Sequence, residues 1–316
     1  MSLVIVDGGN LVMRCFHAQR KLVTRTGIET GGVYGSLRSL TSLFYEYPGW
    51  QLAIAWDHKA RERKNILPEY KEHRSKDKTE EEIASIRQQL QWAQKACASL
   101  GLPSVRVYGL EADDIIGLLV EKYRKKMPIV IVSTDKDLYQ LLGDQVSLLR
   151  LGEVFNIRSL LEKYGMTPSQ YRLFHALNGD TSDGVPGIPG VGEKTVMDLV
   201  HGLPADFQYD HPDWERLSEI CKVAKGARVR RVADNIPIVV ENYTLVNLRP
   251  SPFIDGLTEH MVLDQLNSSC VDYHSFLELV WELEMDSIVG TEEQSVTSMG
   301  MVVHTAAMWG KEYERS

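Results

Sequence analysis

The chain has 316 residues, 43% of them hydrophobic, and a formal net charge of −8. Such a chain buries a full core, as one large domain with a smaller appendage or as two domains, which excludes a disordered or fibrous protein. The charge argues against gripping nucleic acid through bulk positive charge. Four isolated cysteines (Cys15, Cys97, Cys221 and Cys270) indicate neither a disulfide framework nor a zinc site, and no stretch is long enough to span a bilayer. A soluble, cytoplasmic protein is expected, because Met1 to Asp7 lacks the basic flank of a secretory signal.

Leu3 to Val6 is a short apolar run ending in Asp7-Gly8-Gly9-Asn10, the pattern of a buried parallel strand opening onto a turn. In open α/β sheets that end is where sites lie. Taken alone, Asp7 is more simply read as the start of a turn. Helices are predicted over Leu11 to Arg20 and Gly32 to Tyr47, followed by a second strand, Gln51 to Trp56, with Asp57 again at its C-terminal end. From His58 to Lys78 eight basic residues face four acids around Pro68 and Tyr70. That segment reads as a solvated loop and helix face, or as a mobile element making phosphate contacts beside an acidic pocket. Thr79 to Glu82 has the form of a capping box opening a long helix that ends near Gly101.

Ser104 to Tyr108 is a third strand, leading to Glu111-Ala112-Asp113-Asp114 and the buried helix start Ile115 to Val120. Pro128 to Ser133 is a fourth, leading to Asp135 and Asp137. Acids in a first helical turn can be mere caps, but grouped carboxylates repel strongly unless a cation sits among them. Four successive strands, each delivering acids at its C-terminal end, point to a divalent metal site.

A hairpin around Gly152 and a helix over Ile157 to Tyr164 follow, and Thr167-Pro168 caps the next helix. That helix runs into Asp180 and Asp183, spaced to face one pocket from a helix end. Gly190 and Gly192, followed by Lys194 and Thr195, describe a tight turn onto a helix N-terminus, where backbone N–H groups can approach a phosphate; a plain connector is the alternative. Arg216, Lys222, Lys225, Arg228, Arg230 and Arg231 form a basic helical region, either a solvated face or a second track for nucleic acid. Asn242 to Leu248 is expected to be a returning strand, and residues 290–316 a loose tail.

In combination, Asp7 to Asn10, Glu111 to Asp114, Thr134 to Asp137 and Gly179 to Gly187 make the chain similar to the flap endonuclease and 5′-to-3′ exonuclease family over roughly residues 3–250. This includes the bacteriophage 5′ nucleases and the 5′-nuclease domain of bacterial DNA polymerase I. The resemblance implies a PIN-like α/β nuclease domain with a parallel-rich central sheet over 1–165. A helical arch would cover about 58–90, and a helix-hairpin-helix (helix-three-turn-helix) module would lie within 166–289. It also implies a monomer that cuts DNA with a free 5′ end, at a flap, nick, gap or duplex terminus, with RNA–DNA hybrids as a further substrate.

Matched by motif, Asp7, Asp57, Glu111 and Asp113 would hold one Mg²⁺ or Mn²⁺. Asp135, Asp137 and Asp183 would hold a second, with Asp114 and Asp180 nearby or acting through water. Tyr70-Lys71-Glu72-His73-Arg74 matches the arch pattern, so Lys71 and Arg74, together with Arg14, would contact the scissile phosphate or its neighbours, and Tyr70 the DNA. A K⁺ bound by hairpin carbonyls would use Leu177, Asn178, Pro186, Ile188 and Val191. The implied chemistry is two-metal phosphodiester hydrolysis. The alternatives are a DNA-binding accessory protein that has lost cleavage and a PIN-like ribonuclease.

Overall fold

The computed structural model describes residues 2–72, 78–268 and 270–289. Six strands form one sheet: β1 (Leu3–Asp7), β2 (Gln51–Ala55), β3 (Ser104–Val105), β4 (Ile129–Val132), β5 (Val146–Arg150) and β6 (Glu153–Phe155), in the order β3-β2-β1-β4-β5-β6. The first five are parallel and β6 closes one edge antiparallel. β1, β2 and β4 are buried on both faces, which is why they read as continuous apolar runs instead of alternating ones.

Alternate residues supply two cores. Leu3, Ile5, Ile129 and Ile131 face α5 (Ala112–Tyr123), α7 (Pro168–Asn178) and α8 (Glu193–Gly202), and this core continues through α9 (Trp214–Val223), α11 (Ile236–Val246) and α12 (Gly256–Asn267). Val4, Val6, Leu52, Ile54 and Val132 face α1 (Gly8–Ala18), α2 (Gly31–Glu46), α4 (Glu80–Ser99) and α13 (Tyr273–Glu282). The chain therefore returns to the sheet near its end, where α13 lies against α4.

Because β1 sits between β2 and β4, the connections run outward in opposite directions from it, and a crevice opens at the C-terminal ends of these strands. The register is level there, with Asp7 opposite Ala55 and Val6 opposite Val132, so Asp57 and the Ser133 to Asp137 segment leave the sheet on either side of Asp7.

Helix α1 begins three residues before the predicted start because the Asp7 carboxylate accepts the Asn10 N–H (3.0 Å) and so caps it. The expected strand over Asn242 to Leu248 is corrected. Residues up to Val246 belong to α11, whose Val239, Asn242, Tyr243 and Val246 are buried at helical spacing, and which packs on α7. The β-branched and aromatic residues there suggested a strand, but β-propensity yields to packing. The predicted third strand ends at Val105, and the tail at 290–316 lies outside the described residues.

Candidate metal centre and nucleic-acid interface

Two adjoining hollows open at the switch point. The first is lined by Asp7, Asp57, Glu111, Asp113 and Asp135 with Asn10 and Lys71; the second by Glu111, Asp113, Asp137, Asp180 and Asp183. Glu111 and Asp113, at the start of α5, border both. Asp135 thus lines the hollow of Asp7, whereas the resemblance grouped it with Asp137 and Asp183. The Asp180 to Val185 segment is a miniature antiparallel turn, paired through the backbone N–H and carbonyl groups of both residues, and it carries both of its acids to the second hollow.

The first turn of α1 explains Gly8 and Gly9. A Cβ on Gly8 would fall 2.5 Å from the Trp56 ring, and one on Gly9 2.7 Å from Asp57 Oδ2. Only glycine lets the helix start this close to β2 and its carboxylate. Asp57 Oδ1 accepts the Ala112 N–H (3.0 Å), which ties the second strand end to α5. Asp7 Oδ2 accepts the Ser133 hydroxyl (2.9 Å), and Asn10 Oδ1 accepts the Thr134 N–H (3.1 Å), holding α1 against the chain leaving β4.

Gathered carboxylates raise one another. Burial, with Asp57 and Asp135 beside it, pushes the Asp7 carboxyl up to about 7, against hydrogen bonds from Asn10 and Ser133. Asp113 is raised well above its usual range by burial and by Asp135 and Asp7. Burial and the neighbours Asp135, Asp180 and Asp183 push Asp137 up to about 6, against the pull of His175. Burial would raise Asp180 too, but His175 and Ser182 hold it well below the carboxylate range. The same acids lift His175 to about 9 although burial opposes its charge. Such a set of hard oxygen donors, destabilised by mutual repulsion, fits divalent cations.

Asp114 stands apart. Its side chain is fully buried and accepts two hydrogen bonds from the Arg63 guanidinium (2.6 and 2.8 Å), one from Ser251 (2.7 Å) and one from the Glu111 N–H (3.1 Å). Despite its burial, Arg63 holds its carboxyl below the usual range. With its oxygens satisfied by protein donors, Asp114 is a cap and anchor for α3 (Arg61–Ile66), which corrects its grouping with the metal ligands. Tyr70 is also corrected. Only 4% exposed, it packs with Ala60, Val185 and Leu245, and its hydroxyl donates to Glu111 (2.9 Å) and Asp183 (3.1 Å), so it holds carboxylates and offers no open face to DNA.

Lys71 has φ 60°, a left-handed conformation that an ordinary residue adopts only when held in it. The hold is local. Its N–H donates to the Asp183 carbonyl (2.8 Å), and its Nζ lies 2.5 Å from Glu111 Oε1 and 3.5 Å from Asp183 Oδ2. Arg14, in contrast, lines a neighbouring groove with Arg38, Val132 and Leu149, one helical position round from the pocket-lining Met13. Arg74 lies outside the described residues. His175, which sequence reasoning missed, joins Asp137 and Asp180; its only signal was a histidine in the apolar end of α7, five residues before Asp180.

A family model described as "5′-3′ exonuclease, N-terminal resolvase-like domain" matches residues 2–165. The chain is 36% identical over 205 residues to a 5′-3′ exonuclease of Aquifex aeolicus, covering 63% of this chain and 68% of that protein. The chain belongs to the 5′-3′ exonuclease family. It is also 32% identical over 287 residues to a DNA polymerase I of Pseudomonas aeruginosa, matching 89% of this chain but spanning only 30% of that relative. The fold is that of a 5′-exonuclease of bacteriophage T5 solved with bound zinc, at TM-score 0.66 and 22% identity over 90% of this chain and 99% of that one. Flap endonuclease-1 of Methanococcus jannaschii shares it at TM-score 0.58 and 14% identity, over 97% and 93% of the two chains.

Away from the acids, this member of the 5′-3′ exonuclease family carries the glycine turn. Gly190 has φ +72°, and a Cβ there would meet Arg231 Nη1 at 1.9 Å. Arg231 belongs to α10 (Ala227–Asp234), so the basic helix lies directly over the turn, beside exposed Lys194 and half-buried Thr195 on α8, whose first turn follows Gly192. Of the carbonyls matched to K⁺, that of Pro186 accepts from Asn242 Nδ2 (2.7 Å) and that of Ile188 from the Val191 N–H (3.0 Å). Those of Leu177 and Asn178 belong to the last turn of α7, where the backbone of Gly187 passes close to Asn178. No helix among the described residues is long and apolar enough to cross a membrane.

Proposed function

We propose that the chain is a structure-specific 5′ nuclease that hydrolyses DNA phosphodiesters near free 5′ ends, using two divalent cations, Mg²⁺ or Mn²⁺. The observation that carries this reading is the convergence of Asp7, Asp57, Glu111, Asp113, Asp135, Asp137, Asp180 and Asp183 on two adjoining hollows. When bound, such cations supply charge neutralisation and Lewis acidity toward the phosphodiester and its attacking water.

The chain's own groups supply the rest. Asp7, Asp57 and Asp135 hold the first position from three strand ends, while Glu111 and Asp113 belong to both. Lys71, already within reach of Glu111 and Asp183, swings toward the phosphate and stabilises charge developing on it. Tyr70 and the strained Lys71 backbone keep that ammonium beside the acids. Arg14 and Arg38, in the adjoining groove, serve the phosphates of a neighbouring stretch of DNA. The N-terminus of α8 with Gly190, Gly192, Lys194 and Thr195, joined by Arg231, grips the duplex backbone. A K⁺ at the hairpin carbonyls, action on RNA–DNA hybrids and a monomeric state complete the reading.

The test is cleavage of a 5′-labelled flap duplex, resolved to the nucleotide, with Mg²⁺, with EDTA, and with Asp135→Asn. Cuts near the junction that vanish with EDTA and in the variant are expected. Tight flap binding without any cleavage would overturn the nuclease reading in favour of a non-cutting accessory protein.

A further inference from the structure

We propose that His175 is a ligand of the second cation position, giving this chain a mixed nitrogen and oxygen site that selects Mn²⁺ over Mg²⁺. The inference rests on the metal-dependent reading above and specifies one of its two positions. His175 Nε2 lies 3.6 Å from Asp137 Oδ1 and 3.7 Å from Asp180 Oδ2, and one donor atom from each of the three residues falls within 4.8 Å of the others. These separations are too long for hydrogen bonds. They suit donors arranged around one ion with bonds of about 2.1 Å, which places neighbouring ligands about 3 Å and opposite ones about 4 Å apart.

The ring is buried and directed. It is 7% exposed, it projects from α7 with Nε2 toward the acids, and Nδ1 is buried without a hydrogen-bond partner.

The chemistry distinguishes the two hollows. The acids facing the first, Asp7, Asp57, Glu111, Asp113 and Asp135, offer oxygen donors, its imidazole, His58, has Nδ1 turned to the Gly109 N–H (3.3 Å), and an all-oxygen set of ligands suits Mg²⁺. At the second, His175 adds an imidazole nitrogen to the oxygens of Asp137 and Asp180. Nitrogen donors favour later first-row ions, so the preference there moves from Mg²⁺ to Mn²⁺ and further along that series.

The experiment titrates Mn²⁺ into the full chain and reads ¹⁴N coupling to the bound ion by pulsed electron paramagnetic resonance. Wild type, His175→Leu, His175→Gln and His58→Leu are compared, with circular dichroism confirming the fold. The expected result is a ¹⁴N coupling that both His175 variants lose and His58→Leu retains. Mn²⁺ affinity at one position should fall about tenfold in the His175 variants, while Mg²⁺ affinity changes less than twofold. Bound Mn²⁺ without ¹⁴N coupling, or coupling lost only in His58→Leu, overturns this inference and leaves the metal-dependent reading standing. Failure of wild type to bind Mn²⁺ at all overturns both.

Discussion

Asp114 is buried and Asp137 half-buried, each near the start of a helix or turn, yet their removal should have opposite effects on the metal-free protein. Asp114→Ala removes both short hydrogen bonds of the buried Arg63 guanidinium to a carboxylate and leaves its charge only the longer contact with Glu111 (3.3 Å), at a cost of up to about 3–5 kcal/mol. Asp137→Asn removes a carboxylate that desolvation and the neighbouring acids push up to about 6, so thermal unfolding at pH 8 without metal should shift upward. Divalent cations should then stabilise that variant less than wild type. Lys71→Ala is expected to lower flap-cleavage turnover by about a hundredfold or more with little change in affinity, as for loss of a transition-state contact; equal losses in both would make it a binding contact only. Asp7, Asp57, Glu111, Asp113, Asp135 and Asp137 were legible because each follows an apolar run. Arg63 was one of several basic residues in its segment, and nothing local linked it to Asp114, 51 positions away. His175 was hidden because a lone histidine in an apolar helix carries no pattern of its own.

At the level of elements, the strands were read well where burial on both faces leaves a plain apolar run, and badly where packing overrode propensity, as in α11. Its partner contacts are equally invisible to local reading. Gln140, in the 3₁₀ turn Asp137–Leu141, donates to the Asp137 and Val246 carbonyls (both 2.9 Å) and accepts the Leu248 N–H (3.0 Å). This one amide joins the Asp137 turn to the end of α11. Gln140→Leu should destabilise the fold by about 1–3 kcal/mol, since it leaves buried backbone groups unpaired, and urea unfolding measures it. The glycine turn gives a second prediction. Gly190→Val places a β-branched residue at φ +72° and drives it against Arg231, so duplex affinity should drop while the metal centre, read by Mn²⁺ binding, is unchanged. Wild-type duplex affinity in that variant would reduce the turn to a connector.

For the whole molecule, the acids couple folding to pH and to metal. Asp7, raised from 3.8 to about 7, and Asp137, raised to about 6, bind protons more tightly folded than unfolded. Their effect falls as pH rises from about 4 to about 7, so the metal-free protein loses stability across that window. His175, raised from 6.5 to about 9, contributes stability that is complete below pH 6.5 and lost as pH passes 9. Both trends have the same sign. Thermal melts without metal should therefore decline from pH 5 to pH 9, and Mg²⁺ should raise the midpoint more at pH 8 than at pH 5.5, because ligands must shed protons to bind it. A metal-free protein most stable at pH 9 would contradict the geometry.

Helix α4 is buried at one end only. Its buried residues begin at Gln89, and the turns before it, from Glu80, are half-buried or exposed beside the segment that carries Lys71. Gln89 Oε1 accepts the Gly32 and Val33 N–H groups (2.6 and 3.3 Å), completing the start of α2, which has no side-chain cap of its own. Swinging the whole of α4 would strip two donors of their acceptor, at about 1–3 kcal/mol each. The helix is clamped at Gln89, and the roughly nine residues before it, some 13 Å, are tied down, among the described residues, only by polar contacts, Glu82 to Arg20 (2.7 Å) and Ser85 to Glu29. Bending costs least in that stretch, where polar contacts can be exchanged for water, while the sheet, and the carboxylates at its strand ends, hold still.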